Sequence, residues 1–279
     1  MTTNNAVNVT LSGQTGTGKF VGDTAPTLQG ALNMNSHLIN NVTDPSSAQD
    51  AATKAYVDSK AAGTLLDVKF YVASTTWTKP AGTTKVFVRV GGPGGGGGGA
   101  TGGSSTLSAG GGGGAGEYAE AWITSSIGGT ETVTIGTGGA GGAVSATPNP
   151  GAAGSGNSSF GAHVSAAPGQ GGAAGFTAGS TVNMNAGGLG GTGGSGGDIQ
   201  IKGNPGGIAI RLSGTIGTSG FGGPGALGGG GGDAGVDATA NGTPGVYGGG
   251  GSGAISLSSA QRAGGNGGDG WMIVYSYSG

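Results

Sequence analysis

The sequence predicts a mostly β protein. A short helix-bearing N-terminal region, residues 1–63, precedes a glycine-rich β domain, residues 64–279. Three observations carry that prediction. Glycine supplies 75 of 279 residues, and nearly all of it follows residue 90. Runs of alternating apolar and polar residues punctuate the glycine. One stretch, 48–62, lacks both Gly and Pro and is alanine-rich.

So much glycine has a cost. Each ordered glycine is worth roughly 0.5–1 kcal/mol less than alanine, because the unfolded chain loses more freedom. Summed, the excess is on the order of tens of kcal/mol, beyond the net stability of a domain. Either the segment never orders, or its backbones pack too closely for a Cβ. Leu, Ile, Val and Phe total 45 residues, a thin core that points toward disorder. The charge points the other way: only 8 % of residues are charged and the net charge is −2. Collagen is excluded, because Gly94 to Gly99 is unbroken and holds no G-X-Y frame. The near-neutral balance argues against nucleic acid, which needs a basic face. Trp271-Met272-Ile273-Val274-Tyr275 is the longest strongly apolar stretch, far short of the ~20 residues of a membrane span. The N-terminus lacks a basic and an apolar region, so no secretory signal is expected. Cysteine is absent, which removes disulfides and leaves oligomerisation as the route to a larger core.

In chain order, Ala6 to Leu11 reads as a short strand, and Leu32–Asn35 with His37–Val42 as paired loops. Pro45, Ser46 and Ser47 announce a helix from Ala48 to Ala62, closed by Gly63. Ala48, Ala51, Ala52, Ala55 and Val57, extended by Tyr56, form a small apolar stripe suited to close packing of identical copies. Leu66–Val72 alternates as a strand, and Trp77–Gly82 reads as a turn. Lys85–Val90 is a period-2 strand with Val86, Val88 and Val90 on one face and Phe87 and Arg89 on the other. Further strands are expected at Tyr118–Ile123, Glu131–Ile135, Ser159–Phe160, His163–Val164, Ile199–Ile201, Ile208–Leu212 and Trp271–Tyr277, with a tight turn at Gly161. Lys85–Val90 and Trp271–Tyr277 bracket the glycine and are expected to pair at the base of the domain. Between strands, glycine can adopt the left-handed threefold helix with ~3.1 Å rise, whose N–H and C=O groups point sideways to neighbouring helices. The return to a well-formed strand at the C-terminus favours this packing over disorder.

Leu11-Ser12-Gly13-Gln14-Thr15-Gly16-Thr17-Gly18, with Phe20-Val21-Gly22 and Ala25-Pro26-Thr27-Leu28, resembles a connector of bacteriophage tail fibres. Asn41-Val42-Thr43-Asp44-Pro45 and Gln49 to Asp58 are similar to the helix-forming motif that precedes distal fibre domains. Trp77-Thr78-Lys79-Pro80-Ala81-Gly82 before a strand and polyglycine, with a Gly268-Asp269-Gly270-Trp271-Met272-Ile273-Val274-Tyr275 ending, is similar to the glycine-rich distal domain of such fibres. The resemblance implies a homotrimeric, non-enzymatic receptor-binding tip in the virion. Residues 1–63 would join an upstream tail or fibre protein. The far end would meet a host surface glycan or outer-membrane protein. The glycine tracts here are uneven and broken by Ala, Ser or Thr, unlike a regular array.

Other constellations give less. Gly13 to Lys19 nearly spells a phosphate-binding loop, but Phe20 stands where Mg²⁺ coordination needs Ser or Thr. His37 and His163 lack ligand-spaced partners, so no metal or cofactor is expected. Glu117, Glu120 and Glu131 read as residues of solvated strand faces, not a catalytic carboxylate pair. Bulky residues that interrupt small sequence are the better candidates. Phe176, Asn183, Met184, Asn185, Phe221, Leu227 and Tyr247 are the expected receptor contacts, because a large side chain must lie at the rim of a tight array. Two alternatives stand beside the receptor-binding tip: a structural connector whose partner carries recognition, and a surface-polysaccharide depolymerase.

Overall fold

The computed structural model describes residues 41–47, 50–60, 63–102, 106–176, 181–230 and 235–279. The strand expected at Ala6–Leu11, the loops around His37, the near phosphate-binding loop at 13–19 and Ala48 lie outside the described residues. By internal packing the chain divides into Met1–Tyr56 and Val57–Gly279. The one helix among the described residues, α1, spans Lys54–Lys60. It starts later than the expected Ala48 because the local polar groups put the cap elsewhere. The Asp50 carboxylate accepts the Ser46 and Ser47 N–H groups, both at 2.8 Å, and closes a turn. Those bonds hold the Asp50 carboxyl below its ordinary pKa, with the Ser46 N–H the largest cause. Thr53 Oγ1 then accepts the Tyr56 N–H at 3.1 Å, as an N-cap does. Ala51 and Ala52 therefore precede the helix and are exposed, as is Ala55, while Tyr56 is half-buried. The expected alanine stripe does not form on one helix.

The second unit is built from strands and glycine tracts. Strands β1 (Leu65–Tyr71), β3 (Thr83–Gly91), β5 (Tyr118–Ile123), β10 (Ile199–Ile201) and β14 (Trp271–Ser278) make an antiparallel sheet in the order β1-β14-β3-β5-β10. Pairing of β3 with β14 runs from Trp271 opposite Gly91 to Tyr277 opposite Lys85, so the strands that bracket the glycine do join. A second sheet holds β2 (Thr75–Thr78), β6 (Thr130–Thr134), β7 (Ser158–Phe160) and β8 (Val164–Ala166), in that order. Trp77 lies on β2, not in a turn, because its indole fills the space between the sheets. Gly161, at φ +50°, makes the expected tight turn from β7 to β8. The sheets face each other through Val86, Val88, Val90, Ala119, Met272 and Val274 on one side and Trp77, Val133, Phe160 and Val164 on the other. Trp77 and Phe160 meet edge to face at 5.4 Å.

Beyond the sandwich, residues 92–100 and 110–117 run buried through the glycine region. Their hydrogen bonds repeat every third residue. Gly94, Gly97 and Ala100 donate to the carbonyls of Gly268, Gly265 and Arg262 at 2.8–2.9 Å. Gly95 and Gly98 donate to Gly114 and Gly111, and Gly96 and Gly99 to Ala152 and Asn149. The carbonyls reach three other segments: Gly94 and Gly97 accept from Gly139 and Gly142, Gly95 and Gly98 from Gly251 and Ala254, Gly96 and Gly99 from Gly172 and Gly175. One tract thus satisfies its buried backbone against neighbours on every side, as burial requires. The spacing leaves no room for side chains. A Cβ added at Gly94, Gly95, Gly96, Gly97 or Gly98 would fall inside 3.0 Å of a neighbouring carbonyl. The array meets the sandwich where Gly91 and Tyr118 sit paired on the sheet. Its opposite end closes on a second cluster of Leu107, Ala109, Phe176, Ala209 and Ile255. There β4 (Ser108–Ala109) pairs with β13 (Ile255–Ser256), and β9 (Asn183–Asn185), β11 (Ala209–Arg211) and β12 (Gly217–Thr218) form a small sheet ordered β12-β11-β9.

Candidate functional site

The small distal sheet has an inverted pattern. Strand β11 buries Ala209 and Arg211 and turns Ile210 outward. Met184 pairs with Ile210, Ile210 with Thr218, and Thr218 bridges to Val236. Alternation places Val182, Ile208, Leu212 and Ile216 on that same outer face. The result is a largely aliphatic surface, with Val182 70 %, Met184 64 %, Leu212 58 % and Val236 65 % exposed. A shallow cavity of ≈ 330 Å³ lies on it, lined by Ile210, Leu212, Ile216, Thr218, Val236 and Asp237. Scattered exposed aliphatics are ordinary on a protein surface; a contiguous face of them is not.

Polar groups beneath hold this face rigid. Arg211, 3 % exposed, crosses under the sheet. Its Nε donates to Thr181 O at 2.8 Å and its Nη1 to Leu107 O at 3.1 Å, while the guanidinium lies 4.9 Å from the Phe176 ring centroid. Loss of water around the guanidinium lowers its pKa from the usual arginine value. At the edge, Asp237 has φ +44°, and its Oδ1 accepts the Gly217 N–H at 2.7 Å. Asn185 Nδ2 donates to the Ala174 and Ala109 carbonyls and ties β9 to the array end.

The residues expected as receptor contacts separate in space. Asn183 and Met184 belong to the distal sheet and are exposed; Asn185 is half-buried in its tethers. Phe176 lies directly under that sheet and is 4 % exposed, so it does not reach the surface. The array ends there, and its side chain fills the space between Leu107, Ile255 and Arg211. Phe221 is exposed along the flank, its ring over Gly207. Leu227 and Tyr247 sit at the sandwich end, where Tyr247 borders a cavity of ≈ 600 Å³ and meets Phe70 edge to face at 6.0 Å. Ile208, Ile210, Leu212 and Ile216 are not among the contacts expected from the sequence. The available signal was the alternation of Ile208, Ile210 and Leu212, read there only as a strand.

The carboxylates are not solvated in the expected way. Glu117 is buried, and its Oε2 accepts the Ala167 and Gly194 N–H groups at 3.0 and 2.7 Å. Glu120 Oε1 accepts from Arg89 Nε at 3.2 Å and from the Tyr118 hydroxyl. Desolvation first, and the Glu120 bond second, push the Tyr118 phenol up to about 12. His163 Nε2 lies 3.4 Å from Glu131 Oε1. Among the described residues, no three His, Cys, Asp or Glu side chains converge as a metal site, and no helix is long and apolar enough to cross a membrane.

Fold and surface together define a class: a β-sandwich that carries a close-packed, glycine-rich array ending in an apolar face. The chain belongs to the glycine-rich domain family, whose match spans residues 71–277. No curated protein matches it.

Proposed function

We propose that this protein is the non-enzymatic tip of a bacteriophage tail fibre, which binds a receptor on the host surface during adsorption. In this reading the tip is a homotrimer in the virion, and residues 1–63 join it to an upstream tail or fibre protein. The glycine tracts are left-handed threefold helices of polyglycine type, packed side by side. The three-residue hydrogen-bond period and the absence of Cβ space support that assignment. With ~3.1 Å rise per residue, residues 92–100 span about 25 Å, a stiff spacer between sandwich and tip.

The observation that carries the proposal is the exposed aliphatic face on β9, β11 and β12, at the end of the array remote from the sandwich. It presents few hydrogen-bond donors and no aromatic ring, which suits a protein surface better than a sugar. Of the two receptor classes, an outer-membrane protein is therefore favoured over a glycan. Three such faces on one tip, and several tips per particle, give avidity from weak individual contacts.

The test is binding of the purified full chain to receptive cells, and its competition with phage adsorption. Leu212→Lys combined with Val236→Lys should reduce cell binding at least ~10-fold, the scale of one buried hot spot. Both side chains are exposed, so thermal stability should stay unchanged. Wild-type binding by the doubly substituted chain overturns the site. Failure of the wild-type chain to bind any receptive cell overturns the function.

A further inference from the structure

A second apolar surface lies at the opposite end. The inner face of the five-stranded sheet packs on the sandwich core, so its outer face should be polar. It is not. Leu65, Val68, Phe70, Trp122, Ile199 and Ile201 all point outward and are each 45–55 % exposed. The half-buried rings of Phe87, Tyr275 and Tyr277 fill the space between them. Phe87 lies 4.9 Å from Trp122 and 5.9 Å from Tyr275, and Trp122 lies 5.4 Å from Tyr277.

We propose that this face is the contact between copies of the chain. Three observations identify a second copy as the occupant. The first is area. With roughly 150–250 Å² per large side chain, the exposed fractions of those six residues amount to about 600 Å². The half-buried rings add to that, which approaches the ~800 Å² per partner of a specific interface. The second is charge. The core of such an interface is depleted of unpaired charge, and Lys85, opposite Tyr277, stands toward one end of the face. Arg89, at the centre of the face, is already paired with Glu120 at 3.2 Å and with the Tyr118 hydroxyl at 2.7 Å. The third is the edge. Strand β1 is at the margin of the sheet and carries Leu65, Leu66, Val68 and Phe70 exposed. An apolar edge strand left in water would recruit other chains without control. Burial in a closed assembly removes that hazard. The proposal deepens the trimer of the preceding section and rests on it for the number of copies.

The tryptophans make the test direct. The chain has three, of which Trp77 and Trp271 are buried and Trp122 is on the face. Light scattering of the full chain should give three times its 25.7 kDa mass. Iodide, which quenches only exposed tryptophan, should then leave the emission of the assembled protein unchanged. Val68→Lys with Trp122→Lys should raise the concentration needed for assembly at least ~10-fold. Three results overturn the proposal: a monomer at micromolar concentration, an oligomer whose Trp122 is quenched by iodide, or assembly unaffected by the two lysines. The wild-type quenching result stands even if the doubly substituted chain fails to fold. Neither readout uses cells, so failure of this contact and failure of receptor binding register separately.

Discussion

Gly97→Ala tests the array at a crowded point in its interior. The added Cβ would fall inside 3.0 Å of Ser252 O and C and of Gly253 N, whereas ordinary contact begins near 3.4 Å. All three are backbone atoms, so no side-chain rotation relieves the clash. The segment 251–254 must move away. Yet that segment is bonded to the same tract on either side of Gly97, through Gly251 N to Gly95 O and Ala254 N to Gly98 O, both at 2.9 Å. Overpacking costs about 1–3 kcal/mol, and weakening a backbone hydrogen bond costs about 1 kcal/mol. A loss of about 3 kcal/mol lowers the midpoint of a domain this size by roughly 6–12 °C. Gly129→Ala is the control. Nothing lies within 4 Å of its added Cβ, and its φ is not in the left-handed region. Alanine there restricts only the unfolded chain and should be neutral or stabilise by about 0.4–1 kcal/mol. Calorimetry of the two substituted chains decides the matter. Equal melting temperatures would refute the close-packed account of the glycine.

Two further outcomes follow from buried polar groups. Glu117→Ala leaves the Ala167 and Gly194 N–H groups unpaired in the array, at about 1–3 kcal/mol each; hydrogen exchange should speed up at those two amides first, and uniform exchange would refute the capping role. The Tyr118 phenol, raised from 10 to about 12, binds its proton more tightly in the folded chain. Its contribution to stability is complete below pH 10 and is lost as pH rises toward 12. Absorbance of the tyrosinates should show a group titrating near 12 that disappears in Tyr118→Phe, and a midpoint near 10 for Tyr118 would contradict the geometry.

Some of this structure is legible in the sequence. Lys85–Val90 alternates cleanly, and its valines do face the core. The pairing of that strand with Trp271–Ser278 follows from their positions on either side of the glycine. The helix was misplaced because Ser46 and Ser47 look like caps, and only the fold shows their N–H groups turned onto Asp50. Phe176 is expected at the rim because it interrupts small residues, but the array ends there and the ring packs into the apolar cluster beneath the distal sheet. The aliphatic faces were the hardest to foresee. A period-2 pattern says which residues share a face; it does not say which face is buried. On β11 the choice is the unusual one, with Ala209 and Arg211 inside and Ile210 outside.

Composition alone determined that this chain either packs backbone against backbone or does not order, because 75 glycines have no other use in a protein with so few apolar residues. Local alternation determined where the strands of the five-stranded sheet lie. Tertiary structure decided the rest: which tracts neighbour one another, and where the surplus apolar surface emerges. Glycine carries no side chain with which to specify a partner. Register in the array is therefore set at its ends, by the sandwich on one side and the cluster around Phe176 and Arg211 on the other.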